Sequence, residues 1–148
     1  MKNPIILVIQ TNNSVETVVL SSKKQTIKVK KGERYKVLKN EKEEILANDV
    51  IAIRKDNDLY LMYADEQELV LEEFYNSGME ASVILPNDGS GIMLDAGFEG
   101  KLFTNADGST YSFLYAYGNN TILYQMAQEQ PSLIEVRTYA LLLIDSLW

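Results

Sequence analysis

Short runs in which apolar and polar residues alternate, separated by clusters of turn-forming residues, are the feature that most constrains the fold of this chain. The stretch DNDLYLMYADEQELVLEEFYN, residues 56–76, shows the pattern twice. Its first run places Leu59, Leu61 and Tyr63 on one face, because side chains alternate between the two faces of an extended strand. The pattern therefore predicts β-strands and not an amphipathic helix.

The same stretch predicts three consecutive antiparallel strands. ELVLEEF returns with Leu69 and Leu71 on one face, after a short acidic connection that contains Asp65 and Glu66. Two strands joined by about four residues form a hairpin. DND is a second tight turn, which follows the apolar run VIAIRK. Three strands in one meander are the building unit of β-sandwiches and β-barrels.

The rest of the chain repeats this pattern. Apolar runs occur in IILVIQ, QTIKVK, RYKVLK, ASVILP, GIMLDAG, KLFT and TYSFLYAYG, and EKEEILAND is expected to be a loop. We therefore expect an all-β fold, an antiparallel β-sandwich that is Ig-like or similar, with residues 1–148 forming a single domain. The chain stops in apolar sequence at Trp148, which is typical either of the N-terminal fragment of a much longer protein, as we favour, or of a domain that docks its own end.

Residues 132–147 are compatible with two kinds of element. Ser132 and Glu135 have the spacing of a capping box, which favours a short helix after Pro131. LIEVRTYALLLI fits a long buried strand equally well, and we favour the strand because all earlier elements are β.

Composition excludes several classes of function. The 148 residues include no histidine and no cysteine, which argues against zinc enzymes, Ser–His–Asp hydrolases and thiol catalysis. The net charge of −7 makes nucleic acid and anionic lipid surfaces improbable partners. The apolar run near the N-terminus is too short for a signal peptide, and no run is long enough to insert into a membrane.

Carboxylates in the predicted loops are candidate ligands for calcium, which prefers oxygen atoms. Asp56, Asp58, Asp88 and Asp107 are the main candidates. Further acids lie at the same kinds of position, namely Asp65, Glu66 and Asp95. Their spacing matches no EF-hand, so solvated turns are the simpler interpretation and no cofactor is expected.

Two further patterns have both a structural and a functional interpretation. Tyr111, Phe113, Tyr115 and Tyr117 are expected on one face of a strand, either as a binding platform or, as we favour, as packing between sheets. The lysine-rich run SSKKQTIKVKKGERYK either meets an acidic partner or, as we favour, protects an exposed strand edge.

The stretch NDVIAIRKDNDLYLMYADEQELVLEEFYN, followed by SVILPNDGSG, resembles the N-terminal prefix-like domain of bacterial biofilm-associated proteins of the BapA type. The motif Asn57-Asp58-Leu59, the strand Glu68 to Leu71, the aromatic pair Phe74-Tyr75 and the turn Asn87-Asp88-Gly89 carry the resemblance, which covers residues 25–91. The chain departs from the family pattern in two respects. Its ADEQ turn lacks the usual glycine, and Tyr75 replaces a second phenylalanine.

The resemblance implies a non-catalytic domain at the N-terminus of a large adhesin that functions in biofilm formation and cell adhesion. Such adhesins are exported by type I secretion, and their N-terminal domain stays in the periplasm as a folded plug at the outer-membrane channel. Some relatives are released by a protease that cuts between two alanines, but this chain contains no Ala-Ala pair. The alternatives are a β-sandwich module that binds carbohydrate or calcium and a carboxylate-based glycosidase.

Overall fold

The computed structural model describes residues 5–21, 23–63, 67–104 and 107–118, and these residues form twelve β-strands and no helix. No helix long and apolar enough to cross a membrane is found among them. In chain order the strands are β1 (Ile5–Gln10), β2 (Val15–Leu20), β3 (Lys24–Lys28), β4 (Arg34–Asn40), β5 (Ile45–Leu46), β6 (Val50–Lys55), β7 (Asp58–Met62), β8 (Glu68–Glu72), β9 (Ser82–Leu85), β10 (Ile92–Asp95), β11 (Lys101–Thr104) and β12 (Thr110–Tyr117). The expected helix or strand over 132–147 lies outside the described residues, as do Asp65 and Glu66.

The strands form two sheets packed as a sandwich-like fold, which confirms the predicted all-β class. The first sheet has the strand order β10-β9-β4-β1-β2, with β5 paired to β4. The second sheet has the order β11-β12-β6-β7-β8-β3. The expectation of purely antiparallel sheets is wrong, because β4 pairs with β9 and β3 pairs with β8 in parallel. Both parallel pairs join strands far apart in the chain, so no hairpin signal reveals them.

The predicted meander is present as β6, β7 and β8. Leu61 lies opposite Leu69, and Leu59 lies opposite Leu71, in the antiparallel register of β7 and β8. The backbone N–H of Tyr63 donates to the carbonyl of Gln67 at 2.7 Å, which closes the connection between the two strands. The alternating pattern therefore predicted both the pairing and the inward face.

The main hydrophobic core lies between the two sheets. It combines side chains of the first sheet with side chains of the second sheet, among them Leu7, Val37 and Val83 from the first and Leu59, Leu61, Leu69 and Leu71 from the second. All four leucines of β7 and β8 are completely buried. Full burial of a leucine side chain contributes about 1.5–3 kcal/mol, so this central hairpin stabilises the contact between the sheets.

A second cluster lies on the opposite face of the second sheet. Val50 and Ala52 of β6 belong to the main core, so the alternating residues Ile51 and Ile53 point to the other side. There they pack with Met62, Phe103, Tyr111, Phe113 and Ala116. Strands β6 and β12 are thus buried on both faces, which explains the continuous apolar sequence VIAI.

Three strands of the N-terminal half differ in how well the sequence indicated them. Strand β3 is an edge strand of the second sheet and exposes Lys24 and Lys28, which confirms the expected lysine-protected edge. The segment EKEEILAND, expected to be a loop, contains the short strand β5 after a turn. The strand β2 was not predicted, because its outward residues Val15 and Val19 are exposed and do not mark a buried face.

Candidate functional site

Two segments that carry the family resemblance, Asn57-Asp58-Leu59 and the pair Phe74-Tyr75, meet at one end of the second sheet, whereas the turn Asn87-Asp88-Gly89 lies elsewhere. A two-residue turn at Asp56 and Asn57 joins β6 to β7, and Asp56 adopts the left-handed conformation that such turns require. The Asp58 carboxylate accepts a hydrogen bond of 2.9 Å from the backbone N–H of Glu73. The Asn57 carbonyl accepts one of 3.0 Å from the N–H of Tyr75. These two bonds fasten the end of β8 to the β6–β7 turn, an arrangement we call the β8 clamp.

Aromatic packing completes the β8 clamp. The rings of Phe74 and Tyr75 meet edge to face with 5.0 Å between their centroids. The guanidinium of Arg54 lies 4.1 Å from the centroid of the Tyr75 ring, and its Nε donates to the Asp56 carbonyl. Burial raises the pKa of the Tyr75 hydroxyl, although the Arg54 charge opposes the shift. In the β8 clamp the Tyr75 ring therefore packs, with its hydroxyl protonated, against Phe74 and Arg54. One carboxylate oxygen of Asp58 is already engaged in a hydrogen bond to the Glu73 N–H.

The structure separates the calcium candidates. Asp56 and Asp58 lie at the β6–β7 turn, and Asp107 lies near Lys55 in the connection before β12, at the same end of the second sheet. Asp88 contacts Tyr117, which pairs with the first residue of β6 at the other end. Because a strand rises about 3.3 Å per residue, the two ends of β6 lie roughly 17 Å apart. Asp88 therefore cannot share an ion with the other three.

The loop carboxylates organise their own turns. Asp107 accepts hydrogen bonds from the backbone N–H of Ser109 at 2.9 Å and from its hydroxyl at 2.6 Å. The hydroxyl bond is the main reason why the pKa of Asp107 is lowered. Asp95 likewise accepts from the N–H of Gly97. Within the four described ranges, no group of three or more acidic side chains is arranged to hold a metal ion.

The aromatic stripe is divided between two faces, contrary to the expectation from alternation. The pairing of β12 with β6 shifts register between Phe113 and Tyr115, which marks a β-bulge. Tyr111 and Phe113 point into the outer cluster of the second sheet, whereas Tyr115 and Tyr117 pack against the main core. The extra residue moves every later side chain to the opposite face. The stripe consequently forms no continuous platform.

The hydroxyls of the last two stripe residues hold a neighbouring loop. Tyr115 donates to the carbonyl of Pro86 at 2.7 Å, and Tyr117 donates to the Asp88 carboxylate at 2.7 Å. The bond to Asp88 raises the pKa of Tyr117. These contacts fasten the β9–β10 loop of the first sheet to β12 of the second sheet. The two hydroxyls therefore have a structural role, because each already donates a hydrogen bond to the loop.

An open groove on the outer face of the first sheet was missed by the sequence analysis. It encloses about 460 Å³ between β2, β1, β4 and the β4–β5 turn. Its floor includes Val8 and Leu38, and one wall carries the exposed Val15. Lys36 and Glu44 form an ion pair of 3.4 Å at the opposite wall. The alternation of Val15, Thr17 and Val19 was the available signal for this face.

Comparison of the chain with protein-family models, with curated protein sequences and with solved structures found no match. The fold and the contacts described above therefore define a class only, a two-sheet, sandwich-like all-β domain.

Proposed function

We propose that this domain is a non-catalytic retention module of a large bacterial surface adhesin, in which it acts as a folded periplasmic plug. The observation that carries the proposal is the continuous core between the sheets, to which the hairpin of the resemblance region contributes four fully buried leucines. A domain with one shared core unfolds as a unit, and a plug must resist unfolding.

The dimensions of the sheets support an obstructing role. A sheet of six strands at a spacing of about 4.8 Å measures about 24 Å across, before a second sheet is stacked roughly 10 Å away. A chain that is exported unfolded would stop at the channel once this domain had folded behind it. The partner is then the outer-membrane channel of a type I secretion system, and the domain lies on its periplasmic side.

The non-catalytic assignment has support from composition and from the loops. The chain contains no histidine and no cysteine. Described acids such as Asp58, Asp95 and Asp107 bind backbone N–H groups. The alternative, a module that binds carbohydrate or calcium, gains no support from the aromatic stripe or the loop acids. The bulge divides the stripe between two faces of the sheet, and these acids already accept hydrogen bonds from the backbone.

The test is to weaken the core without changing the surface. Leu61→Ala and Leu71→Ala each remove a completely buried side chain and should each reduce the free energy of unfolding by about 2–5 kcal/mol. Since a domain is typically stable by about 5–15 kcal/mol, the double variant should be largely unfolded. In cells that produce the adhesin, it should pass the channel and be recovered in the medium.

The matched control is a double variant of two exposed apolar residues, Met93→Ala with Leu102→Ala. Their exposed fractions are 56% and 63%, so the change should leave stability and retention as in the wild type. Circular dichroism of each purified variant measures folding, and immunoblots of cells and medium measure retention. Retention of a core variant that is shown to be unfolded would rule out the plug.

A further inference from the structure

The strands at the two ends of each sheet differ in how they are protected against pairing with another chain. Strands β10 and β11 have four residues each, and β3 exposes two lysines. Short length and lysine side chains are the usual protection of sheet edges. Strand β2 is longer, with six residues, and its sequence VETVVL has neither lysine nor proline. It is therefore the least protected edge of the described fold.

The outward side chains of β2 are apolar and accessible. Val15 is 67% exposed and Val19 is 52% exposed, and Thr17 between them is also exposed. On the opposite face, Leu20 packs into the main core and holds the strand in place. Within the described part of the chain, β2 is hydrogen-bonded to β1 and lies at the end of the first sheet. Among the described strands, none lies beside its second row of backbone groups.

We propose that β2 pairs in antiparallel orientation with β2 of a second copy of this chain, around a twofold axis that passes through Thr17. The two first sheets then form one continuous sheet. A twofold contact uses the same surface on both copies, as most soluble homodimers do. A second copy is the expected partner because the order of residues in β2 is self-complementary in this orientation. This proposal does not depend on the proposed retention function.

The position of the axis follows from the side chains. An axis through Glu16 would place two like charges directly opposite each other, which is destabilising. An axis through Val18 would leave Val15 without an apolar partner. An axis through Thr17 places Val15 opposite the partner subunit's Val19 on both sides of a Thr–Thr pair, and such pairs stabilise a sheet. It also leaves each Glu16 opposite a valine.

The groove beside β2 is lined by Val15 and Thr17 of the proposed contact, and its floor residues Val8 and Leu38 are buried. Its residues Val8 and Leu38 lie on the same outer face as Val15 and Val19, as the register of β1 with β2 and β4 requires. Each copy carries a net charge of −7, so the two copies repel each other at long range. Added salt screens this repulsion and should therefore strengthen the dimer.

The decisive experiment uses single cysteines, since the chain has none of its own. At the twofold axis the Cα atoms of the two copies of residue 17 are about 4.5–5.5 Å apart, within the range that a disulfide spans. Thr17→Cys should therefore cross-link rapidly under mild oxidation. The two copies of residue 15 are about 14 Å apart, so Val15→Cys should not cross-link within the dimer.

Sedimentation at several concentrations tests the association itself. The wild type should dimerise, and Val19→Lys should weaken dimerisation on the order of 100-fold, about tenfold for each of its two symmetric contacts. Leu102→Lys is the matched control at an exposed site on β11 and should dimerise like the wild type. A monomeric wild type at every concentration, or equally rapid cross-linking of Val15→Cys and Thr17→Cys, would overturn the proposal.

Discussion

At the scale of single residues, Asp58 links two segments that lie 15 residues apart, through its bond to the N–H of Glu73. Asp58→Ala removes the acceptor of a partly buried, charge-assisted hydrogen bond and should lower the free energy of unfolding by about 1.5–3 kcal/mol. Asp58→Asn keeps an oxygen in this position and should lose less. Urea unfolding measures both values, and equal stability of Asp58→Ala and wild type would contradict the role of the β8 clamp.

The buried tyrosines predict loss of stability in alkali. Burial raises the pKa of the hydroxyl above its usual 10.0 in Tyr35, Tyr63 and Tyr75. The folded state therefore favours the protonated form. The resulting stability is fully present below pH 10 and is lost as the pH rises through the higher pKa values of the folded state.

Absorbance at 295 nm follows tyrosine ionisation during this titration. In the folded protein these three of the nine tyrosines should ionise only at the pH at which circular dichroism reports unfolding. In denaturant all nine should titrate together near the usual value of 10.0. Ionisation of all nine at that value while the sheets remain folded would show that these hydroxyls reach solvent.

At the scale of elements, the bulge of β12 fits tightly against the residue before β11. A side-chain carbon at Gly100 would lie 2.6 Å from the Phe113 carbonyl oxygen and 2.7 Å from Leu114 Cδ2. Gly100→Ala should therefore reduce stability by about 1–3 kcal/mol through overpacking. In Gly89→Ala the new carbon has a neighbour at 3.6 Å, an ordinary contact, so this control should melt at nearly the wild-type temperature. Thermal unfolding compares the two, and an unchanged melting temperature in Gly100→Ala would contradict the tight fit.

Local signals predicted local elements of this fold. The hairpin of β7 and β8 was predictable because alternation, a short connection and the inward leucines all depend on neighbouring residues. The parallel pairs were not, since Lys24 meets Glu68 and Arg34 meets Ser82 only in the folded chain. Strand β2 was missed because its apolar residues Val15 and Val19 face solvent, whereas the alternating pattern predicts a strand whose apolar residues are buried.

The candidate site was predicted less well than the fold. Asp58 and Tyr75 were identified in two separate segments of the family resemblance, but the hydrogen bonds that join these segments depend on the turn geometry at Asp56. The prediction of a single aromatic stripe assumed strict alternation along β12. One extra residue between Phe113 and Tyr115 places the later side chains on the opposite face of the sheet. No sequence pattern announces such a bulge, because it is set by the neighbouring strand.

At the scale of the whole molecule, the high negative charge should not produce a specific calcium site. Asp95 and Asp107 accept hydrogen bonds in their own turns, and Asp58 accepts one from the N–H of Glu73. Asp88 lies at the opposite end of the second sheet from Asp58. We expect the melting temperature to stay unchanged on addition of about 1 mM calcium, because only binding to the folded state raises it. Magnesium at the same concentration is the control, and a rise specific to calcium would establish a site.

The two parallel pairs also determine when the domain can fold during synthesis. Strand β4 lacks one neighbour until β9 exists, and β3 has no partner until β8 exists. Contacts between segments so distant in sequence slow folding, since a long loop must close before they form. At about 5–20 residues per second, the ribosome needs several seconds to proceed from Lys28 at the end of β3 to Leu85 at the end of β9. Strand β3 therefore stays unpaired, and β4 keeps one open edge, for seconds in the nascent chain, where chaperones and proteases can reach them.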